Sequence, residues 1–149
     1  AHVNAVQTVL DHTHRIIITD TGNVPHSDVF NAVIDETDVL VVPVVPRADV
    51  VNMALSMIFD LVSSPATEDL AKRAVIVVAY DGRKPTPGLD GQLDSRFAEL
   101  GVETVVRVPY EKAIDEGGAI VLDDFSRDSI VAWTDVAAAV MSSVAVTTD

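Results

Sequence analysis

The chain has 149 residues, 48% of them hydrophobic, and carries 10 Lys and Arg against 23 Asp and Glu, a formal charge of -13. This composition supports one buried core, so we predict a single domain over residues 1–149 and exclude intrinsic disorder. The negative charge disfavours direct binding to nucleic acid. The sequence has no cysteine, no apolar run of about 20 residues and no visible export signal, which predicts a cytoplasmic protein without disulfides or a membrane segment.

Short continuous apolar runs alternate with stretches of helical periodicity, which is typical of parallel strands covered by helices on both faces. The first run, residues 15–20, contains three consecutive isoleucines and is predicted to be a buried strand that ends in Asp20. Either Ser27 or Asp28 then caps a helix.

The second strand is predicted over residues 39–42. Pro43 and Pro46 mark its exit, because proline donates no hydrogen bond to a neighbouring strand. Asp49 lies near the start of the following helix, where a carboxylate is favourable. The apolar stripe that we expect this helix to bury consists of Val50, Ala54, Leu55, Ile58, Leu61 and Val62.

Two further strands follow. Residues 74–80 are apolar, as in a central strand, whereas residues 81–88 are too rich in Pro and Gly for a regular element. Gly101 is expected to end a short helix, since it readily adopts the left-handed conformation. The fourth strand is predicted over residues 104–108, and Arg107 within it indicates the edge of the sheet.

The last predicted element is a helix that Ser126 caps. One side of this helix is expected to face the core, with Trp133 as an anchor. That side consists of Ile130, Trp133, Ala137, Val140, Met141 and Val144. The predicted fold is therefore three-layer αβα, with a mainly parallel sheet of about four strands.

Ligands of open α/β sheets bind beyond the carboxyl ends of the strands. The residues at these ends, expected to meet at one rim, are 20–23, 43–47, 80–82 and 109–111. Asp20 is the candidate there to orient a Mg²⁺-bound water or an attacking water in phosphoryl transfer. The alternative, which the pattern alone favours, is a carboxylate that accepts N–H bonds within its own turn.

A succession of motifs resembles MinD/ParA-like P-loop ATPases, most closely the divergent MinD-like proteins of actinobacterial type. The string IIITDTGN, a capped helix, TDVLVVPVVP and RADVVNMAL are similar to the Walker B and switch II region. The later VPYEKAIDEGGAI is similar to the strand and loop that flank the adenine. The resemblance covers nearly the whole chain in order and implies a partial P-loop NTPase-like fold.

The resemblance also implies roles for individual positions. Asp20 matches the acid after the Walker B strand, as the catalytic residue and as a Mg²⁺ ligand through water. Its neighbours match the switch that senses the γ-phosphate, and the later positions match the nucleotide-flanking loops. The implied nucleotide-binding residues are Thr21, Gly22, Asn23, Asp81, Pro109, Tyr110 and Glu111.

Two features depart from the family pattern. The phosphate-binding motif G-x-x-x-x-G-K-[ST] is absent, since none of Lys72, Lys84 and Lys112 follows a glycine and precedes Ser or Thr. Residues 79–81 read Ala-Tyr-Asp where many members have an adenine-reading Asn. We therefore expect ATP and Mg²⁺ to be cofactors of the intact ATPase, without tight binding to this chain alone.

The implied function is that of the C-terminal portion of an ATPase that positions DNA, a division site or a secretion apparatus, with self-association or a protein partner. The alternative is a non-catalytic domain of the same fold that acts as an interaction scaffold through its acidic surface and residues 81–88. A dinucleotide-binding or receiver-like domain is disfavoured, because no glycine fingerprint follows a first strand and no strand ends in paired acids. His12 and His14 lack an evident third metal ligand.

Overall fold

The computed structural model describes residues 10, 12–22, 27–116 and 119–145. The chain forms two compact units, Ala1–Thr37 and Asp38–Asp149, and each is described by itself.

Within the described residues of the first unit, helix α1 spans Asp28–Ile34. The backbone N–H of Phe30 donates to Ser27 Oγ at 3.1 Å, so Ser27 is the cap of the two candidates. Phe30, Val33 and Ile34 are buried.

The predicted strand over residues 15–20 is wrong. These residues form no strand, and Ile16 and Ile18 are 68% and 92% exposed. A run of β-branched residues favours extended backbone, but a strand exists only through hydrogen bonds to a neighbouring strand, which local composition does not supply.

The second unit contains a parallel sheet of three strands in the order β1-β2-β3, not the four predicted. Its strands are β1, Val41–Val44, β2, Val75–Ala79, and β3, Thr104–Val108. Pro43 lies within β1, opposite Val77, instead of after the strand. Proline is tolerated there because β1 is an edge strand, with one side that needs no ladder hydrogen bonds.

The first face of the sheet is covered by α2, Ala48–Val62, and α4, Leu93–Ala98. Ala54, Ile58 and Leu61 of α2 are buried, which confirms these members of the predicted stripe, whereas the fully buried Val51 was not predicted. Phe97 of α4 is also fully buried. Between these helices lies a short helix α3, Glu68–Lys72. Gly101 has φ +82 after α4, as expected of a residue that ends a helix.

A short helix α5, Lys112–Asp115, follows β3, and the second face of the sheet is covered by helix α6, Arg127–Ala145. Ala132 and Val136 pack there against Val75, Val77 and Val108. The predicted orientation of α6 is wrong for the expected anchor and three of its companions, Ala137 among them, which point outward, whereas Val140 packs against the sheet as predicted. The exposed fractions are 39% for Trp133, 44% for Ile130 and 56% for Met141.

Hydrogen bonds cap the start of α6. Ser129 is fully buried, and its N–H donates to Ser126 Oγ at 3.2 Å, which confirms Ser126 as the cap. The hydroxyls of Ser126 and Ser129 are 3.0 Å apart. Ser129, Ala132 and Val136 form the buried side of α6, and Trp133 lies beside that side. Among the described residues, no helix is long and apolar enough to cross a membrane.

Candidate functional site

The loops after the three strands lie at one edge of the sheet, because all three strands are parallel. Thr86 joins two of these loops. Its N–H donates to the carbonyl of Pro46 at 2.9 Å, and its Oγ1 accepts the N–H of Ala48 at 3.2 Å. The Thr86 hydroxyl therefore supplies the side-chain cap that Arg47, the residue before α2, does not provide.

A close contact between Gly82 and Tyr110 joins the loops after β2 and β3. Gly82 has φ +76, and a Cβ built on it would lie 3.0 Å from Tyr110 Cε2. Tyr110 is 41% exposed, and its hydroxyl donates to Asp115 at 3.0 Å. The predicted rim is therefore confirmed for the three loops of this unit, and it presents one exposed aromatic ring beside Asp81.

Charged residues of both signs surround this edge. Arg47 Nε donates to Asp49 Oδ1 at 3.2 Å, and this partner raises the pKa of Arg47, with a smaller contribution from Asp81. Asp81 accepts the N–H of Arg83 at 3.1 Å, and the Arg83 guanidinium lies 3.8 Å from the same carboxylate. Asp81 thus caps the turn that carries Gly82, in addition to lying on the rim.

A second polar cluster, which the sequence reading missed, surrounds Arg107. Arg107 Nε lies 3.4 Å from Asp90 Oδ1, and its Nη1 lies 3.3 Å from Asp94 Oδ1. Asp94 is the main reason that the pKa of Arg107 is raised. Burial, followed by a hydrogen bond to Asp90, raises the pKa of Tyr80. Arg107 confirms the predicted edge strand, but the spacing along the chain gave no signal that Asp90 and Asp94 would face it.

Glu111 fixes the loop after β3 to the start of α6. Its Oε2 accepts the N–H of Ser126 at 2.9 Å, and its Oε1 accepts the N–H of Ala113 at 3.4 Å. The bond to Ser126, followed by one to the Ser129 hydroxyl, lowers the pKa of Glu111 to about 2. Both carboxylate oxygens are thus engaged by the protein itself.

A cavity of about 300 Å³ lies beside Glu111. Its charged lining consists of three carboxylates, Glu111, Glu116 and Asp124, and one ammonium, Lys112. An excess of carboxylates repels a phosphate group. This cavity is therefore unsuited to a triphosphate, and within it Lys112 pairs with Glu116 at 2.9 Å.

Asp20, Thr21 and Gly22 belong to the first unit. Asp20 is exposed, and its Oδ1 accepts the N–H of Gly22 at 2.8 Å, which is the turn geometry of the alternative interpretation. Gly22 has φ +69, a backbone conformation that favours glycine. A Cβ added at this position would meet no atom within 4 Å, so close packing is not the reason for glycine here. Asn23 lies outside the described residues.

Together, the fold and this edge define a mixed α/β protein with an open parallel sheet and a mixed-charge rim at the carboxyl ends of its strands. No protein-family model, curated protein or solved structure matches the chain. Within the described part of the chain, no group of three or more His, Asp or Glu side chains is placed to hold a metal ion.

Proposed function

We propose that this chain is the C-terminal portion of a MinD/ParA-like ATPase and forms the base side of its nucleotide site. The observation that carries the proposal is the contact of Gly82 with Tyr110, which brings Asp81 and residues 109–111 together at the carboxyl edge of a parallel sheet. This edge is where open α/β sheets bind nucleotides. The exposed ring of Tyr110 is a surface on which adenine can stack.

In this proposal some residues contact the base, and others hold the loop that carries them. Tyr110 and Asp81 face the base, the carboxylate as an acceptor for its exocyclic amine. Glu111 holds the loop in place, because its oxygens are bonded to the N–H groups of Ala113 and Ser126. The phosphates are bound by elements other than the acidic cavity beside Glu111.

Asp20, which lies in the first unit, is proposed separately, from the resemblance, as the catalytic carboxylate of the intact ATPase. An exposed carboxylate is a hard oxygen ligand of the kind that Mg²⁺ takes, directly or through water, and one hydrogen bond to Gly22 fixes its direction. The metal would neutralise charge on the phosphates. In the longer gene product that the proposal requires, Asp20→Asn should lower ATP hydrolysis by about 100-fold with little change in folding. Unchanged turnover would remove Asp20 from the site.

The base site is tested on the chain itself by NMR. Titration with adenosine to about 10 mM should shift the amide signals of Asp81, Gly82 and Tyr110, since a contact without phosphate is worth only about 3–4 kcal/mol. Tyr110→Leu should abolish these shifts. Phe59→Leu, which alters an exposed aromatic residue on α2, should leave them intact. Equal shifts throughout the protein, or none at these residues, would refute the base site.

A second candidate function, an interaction scaffold, is favoured by the acidic cavity. A short arginine-rich peptide is the probe. Binding that perturbs Glu116 and Asp124, weakens with salt and is lost in the double variant Glu116→Gln, Asp124→Asn would support the scaffold. A gene sequence with a P-loop directly upstream of Ala1 would support the ATPase instead.

A further inference from the structure

Helix α6 carries an exposed surface without charge. We define the α6 face as Ile130, Trp133, Thr134, Ala137, Ala138 and Met141, all of which are exposed. Trp133, Ala137 and Met141 follow one another at intervals of four residues, so they form one continuous stripe. A contiguous apolar surface of this kind is a signature of an interaction site.

The charges of α6 lie elsewhere. The chain has 23 acidic residues, of which α6 carries two, Asp128 and Asp135. These two are seven positions apart, so they share one side of the helix, and the buried residues separate that side from the α6 face. The one base, Arg127, is the first residue of the helix. The protein is strongly acidic, but the α6 face is uncharged. Two like-charged molecules can therefore bring their α6 faces together.

Two other occupants fit this face poorly. A basic peptide finds no carboxylate on it, and the acidic cavity beside Glu111 offers such a peptide a better surface. An anionic membrane needs Lys or Arg beside the apolar residues, whereas α6 has a single base and the chain has a charge of -13.

We propose that the α6 face binds the α6 face of a second copy of this chain, with the two helices antiparallel across a two-fold axis near Ala137 and Ala138. The alanines lie near the middle of the helix, where small side chains permit a short distance between the axes. Trp133 of each copy then packs against Met141 of the other. A two-fold interface of this type is self-complementary and closed.

Charge complementarity fixes the antiparallel direction. The carboxyl end of a helix carries partial negative charge on its unpaired carbonyls. In the antiparallel arrangement each Arg127 lies near the carboxyl end of the partner helix, while Asp128 and Asp135 stay on the outer flanks in solvent. A parallel pair would instead place the two Arg127 side chains and the like ends of the two helices together.

Sedimentation velocity on the chain tests the interface. One pair of helix faces is small, so we expect a monomer–dimer equilibrium with a Kd of about 10–100 μM. Ala137→Glu, which places a charge at the axis, should weaken association at least about 10-fold. The matched control Ser56→Glu adds the same charge at an exposed position of α2 and should associate like the wild type.

Two further measurements locate the contact. Trp133 is the one tryptophan of the chain, so its emission should shift to the blue as dimers form. The chain has no cysteine, so Ala138→Cys should give a disulfide-linked dimer under mild oxidation, whereas Ser56→Cys should not. Circular dichroism checks that each variant is folded. Mg-ATP should change none of these results, because the α6 face is separate from the proposed nucleotide edge.

The proposal is overturned by a wild-type protein that remains monomeric at about 200 μM, a concentration above the expected Kd. It is equally overturned if Ala137→Glu dimerises like the wild type, or if Ser56→Glu abolishes the dimer. A failed nucleotide titration leaves the proposal standing, so the two proposals fail independently.

Discussion

The carboxylate of Glu111 accepts the backbone N–H of Ser126 at 2.9 Å and thereby connects the end of β3 to the start of α6. This hydrogen bond is the main reason that the pKa of Glu111 falls to about 2. A single side chain in the edge loop therefore holds both that loop and the helix that covers the second face of the sheet.

Glu111→Gln should reduce stability and change its pH dependence. The pKa of Glu111 falls from 4.5 to about 2 on folding, so the ionised carboxylate stabilises the fold above pH 4.5 and this contribution is lost as pH falls toward 2. Thermal unfolding should show a lower midpoint for the variant at pH 7, with a difference that narrows in acid. Glu99→Gln at an exposed position of the second unit is the control. A constant difference at all pH values would contradict the assignment.

Gly82→Ala should be more destabilising than Gly88→Ala. Both glycines have positive φ, +76 and +74, so each substitution incurs a backbone cost of about 1–2 kcal/mol. A Cβ at Gly82 also meets the Tyr110 ring at 3.0 Å, whereas nothing lies within 4 Å at Gly88. Urea unfolding of both variants measures the difference. Tyr110→Ala should make the two substitutions equal, and a persistent difference would show that the ring is not its cause.

Thr86→Val should weaken the start of α2. Valine keeps the shape of threonine but cannot accept the N–H of Ala48, so the loss should be about 0.5–1 kcal/mol of unfolding free energy. Hydrogen exchange at Ala48 should become faster in the same variant. Thr86→Ser keeps the hydroxyl and should retain most of the protection. Slow exchange at Ala48 in the valine variant would rule out this cap.

Arg107→Met should destabilise the sheet edge, because Asp90 and Asp94 lose their common partner. The Arg107 side chain is 36% exposed, so solvent screening limits the loss to about 1 kcal/mol. Lys72→Met, which removes an exposed pair with Glu68 on one helix, should lose about 0.3–0.5 kcal/mol. Unfolding at low salt and in 1 M NaCl compares them. Losses of equal size would show that the Arg107 cluster acts as ordinary surface charge.

The sequence by itself determined the local features of this protein. Short apolar runs identified β1, β2 and β3, and the clearest of them is β2, which is apolar throughout because helices cover both of its faces. Ser27 and Ser126 marked helix starts and Gly101 marked a helix end, because caps and left-handed turns depend on one residue and its immediate neighbours.

Only the tertiary structure decided which apolar residues are buried. Residues 15–20 have the composition of a strand but do not pair with another strand. Helix α6 has more apolar surface than one helix can bury on a small sheet. The start of α6 is bonded to Glu111, 15 positions before Ser126, and the Arg107 cluster joins residues 13 and 17 positions apart. Such contacts are set by packing across the whole unit, and no periodicity along the chain encodes them.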